Sequence, residues 1–169
     1  VAKKCGGGWF GYIGSSRASD EEAYLTQEVA RLIVGTDEGD SSARCCQNPA
    51  AEGLFRTVGY GGDAGTIEDL QQADLIVLVG SNLSENHPVI ASHIKQSHKH
   101  QRQKLLVVDP RRHEMAERAD CYLRIRPGTD LVWASAMAKY MFDHGYADDA
   151  FLAQRVNQVE EYRASLDAF

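Results

Sequence analysis

Two of the apolar runs in this chain are Leu75-Ile76-Val77-Leu78-Val79 and Leu105-Leu106-Val107-Val108. Both are rich in β-branched residues, and each stops at a turn-former, Gly80 or Asp109-Pro110. Continuous apolar runs of that length predict strands, and the first reads as buried on both faces. Cys121 to Arg126 predicts a third strand, and Trp9 to Ser15 a short one after Gly6-Gly7-Gly8. Between them the period changes. Ser19-Asp20-Glu21-Glu22 has the spacing of a capping box, and Leu25, Val29, Leu32 and Ile33 then share one helical face up to Gly35. Asp37 to Ser42 is polar and turn-like, and Ala43-Arg44-Cys45-Cys46 is a short segment. Pro49 opens a helix to about Val58, since proline suits a first helical turn. Thr66 with Asp69 caps a short helix. Further helices are predicted from Pro88 to about Lys99, Thr129 to about His144, Ala147 to Arg155 and Gln158 to Leu166.

Strand and helix thus alternate, the mark of an α/β fold. The expected architecture is three-layer αβα with a mainly parallel, Rossmann-like sheet and right-handed crossovers. Ligands of such sheets sit beyond the carboxyl ends of the strands. That singles out the loops after Val79, Val108 and Arg126.

Composition changes little. Of 169 residues, 43% are hydrophobic and 25% charged, enough for a globular core. The net charge of −6 gives no electrostatic reason to bind nucleic acid. No apolar run approaches the roughly 20 residues needed to span a bilayer. The four cysteines, Cys5, Cys45, Cys46 and Cys121, match neither zinc spacing nor a disulfide framework. A reduced, cytoplasmic protein is expected, although the chain starts Val1-Ala2 without Met, so a missing signal peptide carries no weight.

The strand ends hold the candidate chemistry. Gly80-Ser81-Asn82-Leu83-Ser84-Glu85-Asn86-His87 gathers small, hydrogen-bonding residues. Asp109-Pro110-Arg111 adds a carboxylate and a guanidinium, and Gly128-Thr129-Asp130 an acid at a helix start. Arginine suits phosphate oxygens and acids suit ribose hydroxyls or the N–H edge of guanine, so a nucleotide is indicated. Capping of helices and turns explains each of Asn82, Asp109 and Thr129 equally well. Gly59-Tyr60-Gly61-Gly62-Asp63-Ala64 matches G-x-G-x-x-A but follows a helix-like segment, and reads as a loop. Cys45-Cys46 is compatible with a nucleophile, a redox group, a soft-metal ligand or plain buried residues. His113-Glu114 begins like H-E-x-x-H, but Glu117 breaks that zinc motif.

Five segments in order carry a resemblance. They are Gly14-Ser15-Ser16-Arg17-Ala18-Ser19-Asp20-Glu21-Glu22, Ala43-Arg44-Cys45-Cys46-Gln47-Asn48-Pro49, Gly80-Ser81-Asn82 to His87-Pro88, Asp109-Pro110-Arg111 and Pro127-Gly128-Thr129-Asp130. Their order and approximate spacing resemble the formate dehydrogenase-like branch of the molybdopterin oxidoreductases, over nearly the whole chain. The resemblance implies a bis-molybdopterin guanine dinucleotide cofactor with molybdenum or tungsten, bound by a cysteine or selenocysteine of the chain. That ligand maps onto Cys46. Gly80, Asn82, Glu85, Asn86, Asp109 and Arg111 map onto cofactor-binding positions, and Gly128 and Asp130 onto a guanosine contact. Gln47 stands where formate dehydrogenases of this branch usually carry a histidine that helps move the substrate proton, so it joins Cys46 as a candidate catalytic residue. Glutamine cannot exchange a proton near neutral pH as imidazole can.

On this reading residues 1–41 are a partial segment of a neighbouring α/β domain. Residues 42–169 are an incomplete domain binding the molybdopterin guanine dinucleotide. The chain is an internal fragment of a large catalytic subunit and is expected to be inactive alone. A 4Fe-4S cluster, the active-site arginine and the rest of the second pterin site belong to missing domains of the same subunit. Implied partners are a small-molecule substrate and electron-transfer subunits. The implied reaction is oxidation of formate to carbon dioxide. A related oxidoreductase with another substrate, a non-catalytic nucleotide-binding module and a redox-inactive assembly domain stay open.

Overall fold

The computed structural model describes residues 2–62, 64–100 and 102–169. Asp63 of the glycine-rich loop and Val1 of the chain start lie outside the described residues. The chain is α/β with parallel sheets and divides into two compact units, residues 1–64 and 65–169. The boundary proposed between residues 41 and 42 thus falls inside the first unit.

In the first unit, helix α1 (Ala2–Cys5) and a 3-10 turn (Gly7–Trp9) precede strand β1 (Tyr12–Gly14). Helix α2 (Asp20–Glu28) starts at the expected capping box. The Ser19 hydroxyl accepts from Glu22 N–H and the Glu22 carboxylate from Ser19 N–H. It continues as a π-helical turn (Val29–Val34) ending at Gly35, which has φ of 76°. Strand β2 (Gly39–Ser41) then pairs parallel with β1, Tyr12 opposite Gly39 and Gly14 opposite Ser41. The stretch read as a polar turn is therefore the second strand of a βαβ unit. Helices α3 (Ala43–Cys46) and α4 (Asn48–Val58) follow.

The second unit holds helix α5 (Ile67–Gln72), β3 (Leu75–Val79), α6 (Leu83–Asn86), α7 (Pro88–His100), β4 (Lys104–Val108), α8 (Glu114–Arg118) and β5 (Cys121–Leu123). The sheet is parallel throughout, in the order β3-β4-β5. Strands laid side by side in sequence order, joined by right-handed crossovers, carry every crossover on one face. The core accordingly lies on that face. Ile76, Leu78, Leu105 and Val107 pack against Ala91 and Ile94 of α7 and Met115 and Ala116 of α8. The last helices, α9 (Asp130–Asp143), α10 (Asp149–Arg155) and α11 (Val159–Ser165), end in a 3-10 turn (Leu166–Ala168) whose Leu166 is buried.

Two details correct the sequence reading. Strand β3 is buried on one face only, because Leu75, Val77 and Val79 are 52, 41 and 44% exposed. Strand β5 ends at Leu123 rather than Arg126, because its partner β4 runs out at the paired Val108.

Candidate functional site

Both parallel sheets send their carboxyl ends into the segments that the sequence singled out. In the first unit the loop after β1 and the start of the segment after β2 are tied by two serines. Ser16 N–H and the Ser42 hydroxyl are 3.0 Å apart, the two hydroxyls are 3.1 Å apart, and Ser42 N–H donates to Gly14 O. Ser41 caps the following turn by accepting from Ala43 N–H. Helix α3 is thereby anchored at the end of β2, with Cys46 in its last position and exposed. Gln47 lies at the joint with α4, its N–H donating to Ala43 O and its carbonyl accepting from Ala51 N–H. Its side chain is exposed. The sequence reading did not pick out Ser16 and Ser42 individually. The requirement that a helix after β1 return to a parallel strand is the signal that would have found them.

In the second unit the loops after β3 and β4 adjoin. Gly80 N–H donates to Val108 O, and Asp109 N–H to Leu123 O, so the sheet's ladder extends into both loops. Gly80 turns the chain with φ of 57°, and a Cβ there would meet nothing within 4 Å. Asn82 precedes α6, and its carbonyl accepts from Glu85 and Asn86 N–H. Its side-chain Oδ1 is buried without a hydrogen-bond partner. Glu85 and Asn86 are exposed.

Asp109 is buried and its Oδ1 accepts from Arg111 N–H at 2.7 Å, fixing the turn. The Arg111 side chain is exposed, and no carboxylate among the described residues pairs with it. Beyond β5, Gly128 has φ of 81°, the Thr129 hydroxyl donates to Arg126 O, and the exposed Asp130 opens α9.

On α8, Glu114 bridges Lys95 at 2.8 Å and Arg118 at 3.0 Å. The Lys95 ammonium foremost holds the Glu114 carboxyl down to about 2. A groove of about 550 Å³ between α7 and α8 lies away from the strand ends, toward the start of β4. Its Lys99 is the ordinary cationic complement of a helix C-terminus.

The structure thus brings Gly80, Asn82, Asp109 and Arg111 to adjacent strand ends of one sheet. Glu85 and Asn86 follow on α6, and Gly128 and Asp130 after the next strand. Cys46 and Gln47 belong to the other unit. A buried acceptor lacking a donor, an open glycine turn and a free guanidinium suit a ligand that carries both N–H or O–H groups and phosphate oxygens.

Comparison with known proteins gives the chain its family. A family model described as molybdopterin oxidoreductase matches residues 7–168. A Bacillus subtilis protein named as a probable oxidoreductase is 52% identical over 92% of this chain and 16% of its own length. A Staphylococcus aureus protein provisionally named formate dehydrogenase is 50% identical over 100% of this chain and 17% of its own. The chain therefore spans about a sixth of the length of these relatives. Among solved structures, acetylene hydratase from Pelobacter acetylenicus superposes with a TM-score of 0.66 over 99% of this chain and 22% of its own. At 24% identity that likeness speaks for the fold alone. The family implies a molybdenum or tungsten molybdopterin cofactor. With nearly all of its length matched by the family model, this chain belongs to the molybdopterin oxidoreductases.

Proposed function

We propose that the chain is part of a cytoplasmic catalytic subunit that oxidises formate to carbon dioxide, a proton and two electrons. The observation that carries this reading is the 50% identity, across the whole chain, to a relative provisionally named formate dehydrogenase. The bound cofactor, in its bis-molybdopterin guanine dinucleotide form, supplies the two-electron redox chemistry. On this reading the iron–sulfur cluster and the electron-transfer subunits that would receive the electrons lie outside this chain.

Cys46 is this chain's metal ligand on this reading. Its thiol is exposed at the end of a helix anchored by Ser42, and among the described residues no three His, Cys, Asp or Glu side chains converge as an alternative metal site. The residues of the second unit fit the nucleotide parts of the group. The Asn82 Oδ1 accepts a donor, Gly80 allows close approach of backbone, and Arg111 meets phosphate. Asp130 and Gly128 take the guanosine end, where a carboxylate accepts from the N–H edge of guanine. Glu85 and Asn86 add polar contacts from α6, and Asp109 holds the turn.

The test is Cys46→Ser in the full-length subunit. Metal content and formate-dependent dye reduction should both fall. Unchanged metal and activity would overturn the assignment.

Gln47 favours a second reading, a related oxidoreductase with another substrate, since an amide holds a substrate oxygen but does not shuttle its proton. A substrate screen of the intact subunit, run beside Gln47→His, separates the two. Formate turnover raised by the histidine supports formate chemistry. Turnover of another substrate, abolished by the same change, supports the second reading.

A further inference from the structure

We propose that the sheet of the second unit takes a further strand from the rest of the subunit, parallel to β3 and paired along its open edge, from a segment that follows this chain. The inference rests on this chain being part of a longer subunit, and not on formate as its substrate.

Strand β3 stands at one edge of the sheet, with β4 as its neighbour. Two hydrogen bonds show which way its backbone groups point. Lys104 N–H donates to Asp74 O, and Gly80 N–H donates to Val108 O, one at each end of the pairing. In a parallel strand the N–H and C=O of one residue point to the same side, and the side alternates along the strand. Asp74, Ile76, Leu78 and Gly80 therefore face β4. Leu75, Val77 and Val79 turn their N–H and C=O groups to the open edge. The side chains of the same three residues are exposed, on the face opposite the core. On that face Leu123 of β5 is exposed too, Leu106 is half-buried, and Val108 is buried.

An all-parallel sheet is stable with both faces covered. Strands added beside β5 would not achieve this. Each right-handed crossover in the direction from β3 to β5 lands on the face that α7 and α8 already occupy. A strand that precedes β3 and joins its edge has the same fault, since its crossover runs in the same direction. A strand that follows β5 and joins at β3 crosses the sheet the other way, and its right-handed crossover passes over the bare face. One element thus answers both observations. Its backbone pairs with the free groups of Leu75, Val77 and Val79, and its crossover covers their side chains. There is chain enough to supply it, since these residues correspond to 16 to 17% of the length of the relatives.

The order of strands then reverses at β3. Ligands of parallel sheets bind at such a reversal, beyond the carboxyl ends. Asn82, with its buried and unpartnered Oδ1, stands at that end of β3.

The test is amide exchange in the full-length subunit, resolved to single residues by fragmenting the peptide that spans β3. The amides of Leu75, Val77 and Val79 should exchange within about tenfold of those of Ile76 and Leu78, because both sets then lie in a ladder. Exchange of the three near the rate of an unstructured chain, with Ile76 and Leu78 slow, would overturn the proposal. The source of the strand is read by growing the subunit with a diazirine analogue of leucine, close to leucine in size, and irradiating it. Cross-links from Leu75 should reach a peptide of the same polypeptide beyond Phe169. A cross-link to a second copy, to another protein or to a peptide on the amino-terminal side of this chain overturns the proposal. So does protection of the three amides that is lost on dilution to monomer. Formate turnover by the same preparation is a separate readout. Its absence defeats the formate reading and leaves the strand in place.

Discussion

Replacing Asn82 with leucine should make the cofactor-free protein more stable and the cofactor-loaded protein weaker. The two side chains are close in size, and the Asn82 backbone, at φ −93° and ψ 72°, is open to leucine. The amide makes no cap bond to α6, so none is lost. What the substitution removes is a buried oxygen with no donor. Burying such an acceptor costs about 1–3 kcal/mol, and replacing it by an apolar group of the same shape recovers much of that. At about 1.4 kcal/mol per tenfold, local opening of the strand end should become roughly tenfold rarer. Amide exchange of β3 in the full-length, cofactor-free subunit reads this directly. In the loaded subunit the same change removes an acceptor from the ligand, and pterin loss should accelerate by about tenfold. Opposite signs in the two states mark a residue retained for binding at the expense of stability. Faster β3 exchange without cofactor, together with an unchanged loss rate, would refute the reasoning and make Asn82 structural.

Ser42→Ala removes both side-chain links to Ser16. Amide exchange at Ser16 to Ala18 in the intact subunit should quicken by roughly fivefold, since exposed hydrogen bonds sit at the low end of their range. Metal retention against a chelator should fall with it, and unchanged exchange would show that the serines do not hold this loop. Acid should loosen α8 and the start of β4. Lys95 foremost holds the Glu114 carboxyl at about 2, below the ordinary 4.5. The Leu105 N–H, and then the Lys104 ammonium, hold Asp120 below its usual value as well. A depressed carboxylate stabilises the folded state above its unfolded value, and that support is lost as pH falls through the folded one. Protection factors of β4 amides should therefore drop between about pH 4.5 and 2, and less steeply in Glu114→Gln.

How much of this was legible depended on where the information lay. The runs at 75–79 and 105–108 announced strands because an apolar run without periodicity has few other uses. They could not announce what covers them. Leu75, Val77 and Val79 are built for burial, yet side-by-side strand order leaves their face without a crossover helix. Strand β2 was illegible for the opposite reason. Gly39, Asp40 and Ser41 have no apolar side chain and are exposed, and only their parallel register with β1 makes them a strand. The short α6 was missed because a helix of four residues shows no period. Helix α8 is held by Met115 and Ala116, a tertiary fact. Among the candidate site residues, Asn82, Asp109 and Arg111 stood out because parallel topology points to strand ends.

Parallel pairing also accounts for the distribution of chemistry along the chain. A parallel strand hands the chain to its next element at the carboxyl end, where the ladder stops within a residue or so of the strand. In the first unit that position is filled by serines and then Cys46, and in the second by Gly80, Asn82, Asp109 and Arg111. These segments are short, and the ends of rigid strands hold them, so their polar groups are set by the sheet rather than by loop preference. Among the described residues, Asn82 Oδ1, Ser84 Oγ, Gln103 Oε1, both His113 nitrogens and Trp133 Nε1 are buried without a hydrogen-bond partner. Such groups are costly in the interior of a fold and are expected where function outweighs that cost. Of these, Asn82 stands at the end of β3, and it is the residue whose substitution separates binding from stability most directly.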